Sequence, residues 1–300
     1  MRSLAKAQFV DRLSPQAEWR LVHKLADALV LKVARATARV MVLPETETTW
    51  ARVIEQLKMG NLGQAVDAVD LDAMVDGLQQ QVWPLLDGLL HQTARMVGRS
   101  TKAKASVLQK AARATFMAEN PFATRWANKN AARLVVEVTN ETRKAIRAYV
   151  TGASSEGVPP TKLAKQLRDV VGLTERQAQA LWNARKRLMD EGVSSAVVER
   201  RMEFLATKAL RDRSMVIART ETMRASNAGQ VAAWQEASRD GELHTDLVKE
   251  WIVTPDDALC EECEALDGAQ ASFDTEFPGG VMEPPIHPNC RCAVGLERRT

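Results

Sequence analysis

The chain has few of the features that mark a β-rich, membrane-spanning or secreted protein. Only one of its 300 residues is tyrosine and aromatic residues make up 5%, which argues against an all-β protein because strands are enriched in aromatic side chains. No run of about 18 apolar residues occurs, so we predict no membrane span. The amino-terminal residues lack a long apolar segment, which predicts no secretory signal and folding in a reducing compartment.

The sequence also lacks the short motifs of common catalytic sites. It contains no phosphate-binding GxxxxGK[ST], dinucleotide-binding GxGxxG, zinc-protease HExxH or serine-hydrolase GxSxG pattern. The acidic pair Asp70 and Asp72 is predicted to be solvated surface. His23, His91 and His244 are isolated, and we predict ordinary helix or loop histidines rather than ligands. These absences favour a structural protein over an enzyme.

What the chain does contain is a mostly helical spacing of apolar residues, which make up 45% of it. The predicted helices cover residues 1–42, 50–59, 64–115, 121–150, 174–190, 194–208 and 211–238. Pro84 is expected to kink or split the third of these helices. After Gly241 the pattern changes to loops and short strands, at 247–254 and 292–296. We therefore predict a mainly α protein: an elongated helical body with a small C-terminal α+β module rich in Cys and His.

The net charge of +3 conceals a strong segregation of charge. Residues 99–147 carry eleven basic and three acidic side chains, whereas residues 256–283 carry nine acidic side chains and no Lys or Arg. The basic stretch is a candidate surface for DNA or for an acidic partner, with a solvated helix face as the alternative. Its candidate contact residues are Lys102, Lys104, Lys110 and Arg113.

The last predicted helix carries an apolar stripe that two polar residues interrupt. At helical spacing the stripe contains Val216, Thr220, Met223, Asn227, Val231 and Trp234. If this face is buried, its hydroxyl and amide need hydrogen-bond partners, and the loops of the C-terminal module can supply them. We predict a structural clamp between helix and tail, made by Arg219, Thr220, Glu221, Asn227 and Trp251. The alternative is a polar active site around Arg219 and Glu221.

All four cysteines of the chain lie in two clusters near its carboxyl end. The clusters are Cys260-Glu-Glu-Cys263 and Pro284-Pro-Ile-His-Pro-Asn-Cys-Arg-Cys292. Structural zinc takes four nitrogen or sulfur ligands, and a CxxC segment often supplies two of them. We predict a zinc ion held by Cys260, Cys263 and two of His287, Cys290 and Cys292. Reduced cysteines, a disulfide, or a catalytic pair of His287 and Cys290 are the alternatives.

These segments, taken in their order along the chain, resemble a family of phage proteins. The matching segments are Glu119-Asn-Pro121 with Trp126, Gly172-Leu-Thr-Glu-Arg-Gln-Ala178, Ala218–Asn227 with Trp234, and the two Cys clusters. This order is similar to that of the phage Mu F-like minor head proteins, also called head morphogenesis proteins. The final PPxHPNCRC segment is the most specific part of the resemblance.

The resemblance covers about residues 116–300 and implies a division of the chain. We expect an N-terminal helical region over 1–115, acting as an extension or a portal-binding part. A Mu F-like domain is expected over 116–300, in which residues 242–300 form the tail of strands and loops.

The resemblance also implies a structural minor head protein of a tailed phage or prophage. Such a protein is expected inside the head near the portal vertex of the virion, and in the host cytoplasm during assembly. The implied partners are the portal protein, packaged DNA, and capsid or scaffold proteins, and the implied role is head assembly, DNA packaging and DNA ejection. The alternative is a metal-dependent hydrolase or transferase that uses Arg219, Glu221 and the Cys/His region.

Overall fold

A computed structural model describes residues 15–42, 47–106, 120–254 and 259–299. This part of the chain is mainly helical and ends in a small three-stranded antiparallel sheet beside a Cys/His cluster, which confirms the predicted fold class. None of its helices combines the length and the apolar character that crossing a membrane would require.

The helices occupy most of the chain before residue 240. They are α1 Pro15–Val40, α2 Glu47–Lys58, α3 Leu62–Asp67, α4 Asp72–Gly77, a π-helical turn Leu78–Val82, α5 Trp83–Ser106, α6 Pro121–Ser155, α7 Pro160–Leu167, α8 Glu175–Asp190 and α9 Ser195–Arg239. The C-terminal module follows with β1 Leu247–Ile252, α10 Glu261–Glu264, β2 Gln270–Ala271 and β3 Ala293–Arg298.

Two predicted helix boundaries were wrong. The helix expected over 64–115 is interrupted before α4, where the Asp70 carboxylate accepts a hydrogen bond from the Asp72 N–H over 2.8 Å, as an acidic residue does when it ends one helix and begins another. The helices expected over 194–208 and 211–238 are a single helix, α9. No glycine or proline lies between residues 195 and 228, so nothing in the backbone ends the helix there.

Three other features of the helices agree with the sequence. The π-helical turn ends two residues before Pro84, where the missing N–H of proline disturbs regular hydrogen bonding. Asn120 caps α6, because its side-chain oxygen accepts from the backbone N–H of Phe122 and Ala123 over 2.9 and 3.0 Å. Thr174 and Gln177 form a capping box at the start of α8, as the Thr-x-x-Gln spacing predicts.

Close contacts divide the chain into two compact units, and each unit is assembled from separate segments. The first contains residues 1–33, 84–130 and 216–300, and the second contains residues 34–83 and 131–215. Segments from both sides of residue 115 therefore enter each unit. The division at residues 115 and 116 stays a prediction about independently folding parts of the chain.

The sheet and one end of α9 build the core of the first unit. In the sheet β1 lies between β2 and β3, with Trp251 of β1 opposite Val294 of β3. Trp251 and Trp234 are fully buried, and three of the four cysteines belong to the same apolar cluster. The core of this unit and the Cys/His cluster are thus one packed structure rather than two.

A buried arginine joins helices and a loop in the second unit. Arg213 of α9 donates to the carbonyl oxygens of Gly172 and Leu173 over 2.6 and 2.7 Å, and to that of Val138 over 3.2 Å. Burial lowers the pKa of its guanidinium to about 10. These bonds satisfy carbonyl groups at the turn before α8, which would otherwise be buried without a donor.

The close approach of α5 and α9 in the first unit makes Gly229 a sharp test of the packing. A β-carbon at Gly229 would lie 2.4 Å from the carbonyl oxygen of Leu90 and 3.0 Å from Cβ of Thr93. We expect Gly229→Ala to lower the free energy of unfolding by about 1–3 kcal/mol, because overpacking outweighs the better helix propensity of alanine. Gly88→Ala is the matched control: that position on α5 is open, so the same change should stabilise by about 0.5–1 kcal/mol. Urea denaturation checks both, and equal effects would contradict the packing.

Candidate metal centre

The first two sulfurs of the cluster are held by a short turn of helix. Cys260 is the N-cap of α10, and the backbone N–H of Cys263 donates to its sulfur over 3.4 Å. This hydrogen bond, together with His287 nearby, lowers the pKa of the Cys260 thiol. Backbone support of this kind is typical of a CxxC segment that offers both thiolates to a metal.

The imidazole of His287 faces these two sulfurs with one nitrogen. Its Nε2 atom lies 3.1 Å from the Cys260 sulfur and 3.2 Å from the Cys263 sulfur. Its Nδ1 atom lies 2.9 Å from the carbonyl oxygen of Pro288, which only accepts, so Nδ1 carries the hydrogen. In metal sites the ligating histidine donates its other ring nitrogen to a carbonyl in the same way, and the Nε2 lone pair is left to bind.

Cys290 and Cys292 complete the cluster on its buried side. The Cys290 sulfur lies 3.7 Å from that of Cys263, which matches the separation of about 3.8 Å expected for two thiolates bound tetrahedrally at 2.3 Å from zinc. The hydrogen bond between Cys292 and Cys290 lowers the pKa of Cys290 and raises that of Cys292. Burial, reinforced by the nearby Cys290, raises the pKa of Cys263.

The five side chains form two overlapping ligand groups that could hold a metal ion. One group contains Cys260, Cys263 and His287, and the other contains Cys263, Cys290 and Cys292; within each group the donor atoms lie within 4.8 Å of one another. The cavity that they line has a volume of about 20 Å³, which suits one ion or water molecule. The candidate donor atoms are four cysteine sulfurs and one imidazole nitrogen, which are the soft ligands that zinc prefers.

Two members of the predicted clamp hold the backbone beside these ligands. Thr220 Oγ1 accepts from the N–H of Asn289 over 3.0 Å. Asn227 is fully buried, donates to the carbonyl oxygen of Cys292 over 3.2 Å and accepts from the N–H of Val294 over 3.3 Å. The polar residues of the α9 stripe therefore contact the tail, and they satisfy backbone groups on both sides of the last cysteine.

The other three clamp residues differ in their surroundings. Trp251 is fully buried and meets Phe277 edge to face, with ring centroids 5.2 Å apart. Glu221 is buried and forms an ion pair with Arg224 on the same helix. Arg219 is exposed, and among the described residues its side chain makes no hydrogen bond to the tail. Thr220 and Asn227 thus make direct hydrogen bonds to the tail, and the clamp of five residues as a whole stays a prediction.

The sequence analysis missed a buried lysine and a carboxylate in the same unit. Lys249 of β1 is fully buried, donates to the carbonyl oxygen of Met282 over 2.7 Å, and lies 4.8 Å above the ring of Phe277. Glu283 accepts from Trp126 Nε1 over 2.8 Å. Burial lowers the pKa of Lys249 to about 8. Period-two alternation from Trp251 was the available signal, since Lys249 lies on the same face of β1.

The lowered pKa of Lys249 predicts a specific dependence of stability on pH. Between about 8 and the ordinary value of 10.5, the unfolded chain binds more protons at this site than the folded chain. The free energy of unfolding should therefore rise with pH across this window, by at most about 3 kcal/mol. Lys249→Met removes this contribution. The free energy of unfolding of the wild type should therefore increase relative to that of the variant as pH rises.

Urea denaturation of the two proteins from about pH 7.5 to about pH 10 measures that difference, in which the titration of other groups cancels. Lys24→Met, at an exposed lysine of α1, is the control and should keep the wild-type slope. Parallel curves for wild type and Lys249→Met would contradict the prediction.

The predicted basic contact residues cannot be placed on a surface. Lys102 and Lys104 belong to α5, of which only the backbone is described at these positions, and Lys110 and Arg113 lie outside the described residues. A role of this stretch in binding DNA or a partner stays a prediction.

Comparison with known proteins relates part of the chain to a protein family. A family model described as Phage Mu protein F like protein matches residues 144–295. The matched region runs from within α6 into β3 and includes all five side chains of the Cys/His cluster. No curated protein and no solved structure shows a significant match.

Proposed function

The chain belongs to the phage Mu protein F like family, and from this membership we propose that it is a structural minor head protein of a tailed phage or prophage. The family match supports a role in head morphogenesis and a place in the virion. As finer points, we propose binding to the portal protein inside the head, and roles in head assembly, DNA packaging and DNA ejection. Capsid or scaffold proteins and packaged DNA are the further partners that this role entails.

The family match over residues 144–295 is the observation that carries this proposal. It contains the PPIHPNCRC segment, whose backbone is tied to α9 through Thr220 and Asn227. The side chains of Thr220 and Asn227 are therefore engaged in holding this segment in place. This arrangement supports a rigid module for assembly.

We propose zinc as the metal, bound by Cys260, Cys263, His287 and Cys290. The first three surround a common point, and the Cys290 sulfur lies at a tetrahedral spacing from Cys263. Cys292 is then the fifth, non-ligating thiol beside Cys290. When bound, zinc would cross-link the α10 turn to the loop before β3. Its binding free energy would then stabilise the folded module.

The alternative of a metal-dependent hydrolase or transferase has less support. A catalytic zinc keeps an open position beside a general base, whereas the cavity here suits an ion rather than an organic substrate. Glu221, one of its proposed catalytic groups, is buried in an ion pair with Arg224. These observations favour the structural role.

Sedimentation of the purified chain with assembled rings of the portal protein from the same phage tests the proposed partner. We expect the chain to move with the rings, and to remain at the top of the gradient when the rings are omitted. Mass spectrometry of purified virions tests its location and should detect the chain in DNA-filled heads. Absence from virions and from portal rings would contradict the proposed function.

Neutralising the basic stretch tests its role in those interactions. We expect the Gln variants of Lys102, Lys104, Lys110 and Arg113 to bind DNA or portal rings more weakly, with a loss that shrinks as salt rises because exposed charges are screened. A variant with the same charge change on α1 is the control; its positions are Lys24, Lys32, Arg35 and Arg39, which are exposed. Equal binding of both variants at two salt concentrations would show that the basic stretch is solvated surface.

A further inference from the structure

The carbonyl oxygen of Arg291, between the last two cysteines, receives hydrogen bonds from two distant parts of the chain. His23 Nε2 lies 2.9 Å from it, and because a carbonyl only accepts, this nitrogen is the donor. Thr254, just beyond β1, donates its hydroxyl to the same oxygen over 2.6 Å. Trp19 Nε1 in turn donates to the Thr254 hydroxyl over 3.2 Å. Two side chains of α1 thus bind one peptide group of residues 284–292, called the metal loop below. His23 binds it directly and Trp19 binds it through Thr254.

Apolar packing holds α1 in the position that these bonds require. The rings of Trp19 and His23 are in contact, with centroids 4.1 Å apart and planes tilted by 33°. One helical turn on, Val22 and Ala26 are fully buried in a cluster with Met223 and Ala293. Ala293 directly follows the last cysteine, so α1 touches the loop and the start of β3 together.

The helices therefore hold the metal loop on both sides of its ligands. From α9 come the bonds to the N–H of Asn289, the carbonyl of Cys292 and the N–H of Val294. From α1 comes the bond to the carbonyl of Arg291. The orientation of these peptide groups fixes where the sulfurs of the loop point, because each sulfur is separated from the backbone by a single carbon. A partner that sets a ligand's orientation in this way acts on metal affinity.

We propose that α1 positions the metal ligands through His23 and Trp19, so that metal binding and the docking of α1 stabilise each other. This inference rests on the proposed metal site. Coupling between two binding events is reciprocal in free energy. The factor by which an undocked α1 weakens metal binding is therefore the factor by which metal tightens the docking of α1.

The first measurement is the affinity of the full chain for Zn²⁺, obtained by competition with a chromogenic chelator. His23→Phe keeps an aromatic ring against Trp19 and removes the donor to the Arg291 carbonyl. We expect its dissociation constant for Zn²⁺ to rise about tenfold, the lower range for loss of a group that orients a ligand. Trp19→Phe, a milder change that removes one N–H, should act in the same direction. His244→Phe alters an exposed histidine and should leave the affinity unchanged.

The second measurement is hydrogen exchange of the α1 backbone in the presence and absence of Zn²⁺. In the wild type, Zn²⁺ should slow exchange over residues 22–33. In His23→Phe the metal-dependent slowing should be smaller, while α9 keeps its protection as an internal check on folding. This readout does not depend on any activity of the chain.

The outcomes separate the coupling from the metal site itself. Weaker Zn²⁺ binding in His23→Phe together with metal-dependent protection of α1 in the wild type supports the proposal. One equivalent of Zn²⁺ bound with equal affinity by wild type and His23→Phe, without change in α1 exchange, overturns the coupling and leaves the metal site intact. A wild-type chain that binds no Zn²⁺ overturns both.

Discussion

Removal of the metal from the loaded chain is expected to unfold the C-terminal module, with a loss of several kcal/mol in its free energy of unfolding. The reason is that Cys263, Cys290 and Cys292 are buried members of the same cluster as Trp234 and Trp251. Without the metal, the soft ligands lose the ion that joins the α10 turn to the loop before β3. Near-ultraviolet circular dichroism reports the tryptophan packing while a chelator is added, and a chromogenic indicator reports the released zinc.

Single Cys→Ser variants sharpen this prediction. Cys263 belongs to both ligand groups, so Cys263→Ser should lose the metal and the tryptophan signal together. Cys292→Ser is the matched control, because the proposed ligand set does not include it. A chain purified without added metal that contains far less than one zinc and keeps its folded signal would contradict the metal prediction. Equal metal loss in the two variants would contradict the choice of Cys290 as the fourth ligand.

Asn227→Leu is expected to destabilise the first unit although it makes the α9 stripe more apolar. The substitution leaves the carbonyl of Cys292 and the N–H of Val294 buried without their partner. Each such group costs about 1–3 kcal/mol, so the free energy of unfolding should fall by roughly 2–6 kcal/mol. At this fully buried position the larger leucine side chain should add overpacking to the loss rather than offset it.

Urea denaturation of the metal-loaded proteins measures the effect. Asn183→Leu makes the same chemical change at an exposed position of α8, and its stability should stay within about 0.5 kcal/mol of the wild type. A stability of Asn227→Leu at or above that of the wild type would show that its amide does not hold the tail.

Local signals predicted most of the fold. The N-cap at Thr174 was predictable because a cap and its partner lie within three residues of each other. The continuity of α9 was not predicted, although no glycine or proline lies between residues 195 and 228. The short β2 has only two residues and exists through pairing with β1, which no local pattern records.

The candidate site was predictable in its candidate ligands and in part of the support that α9 gives them. The spacing of the Cys and His residues identifies all five donors, and the helical period of α9 identifies Thr220 and Asn227. His23 and Lys249 were not identified, because their roles depend on carbonyl groups that are 268 and 33 residues away in the sequence. Alternation along β1 places Lys249 on the face of Trp251, but neither this pattern nor the helical period of α1 shows which distant peptide group a side chain will meet.

The distance along the chain between His23 and Arg291 has a consequence for biosynthesis. The two residues that meet in the metal loop are separated by 268 positions. At ribosomal rates the amino-terminal helix emerges on the order of tens of seconds before its partner, and closing so long a loop is among the slowest steps of folding. During this interval Val22 and Ala26 lack Ala293, one of the residues that cover them in the folded chain. The contact between α1 and the metal loop therefore forms only after residue 291 has been made, and a closed module marks a chain translated at least as far as β3.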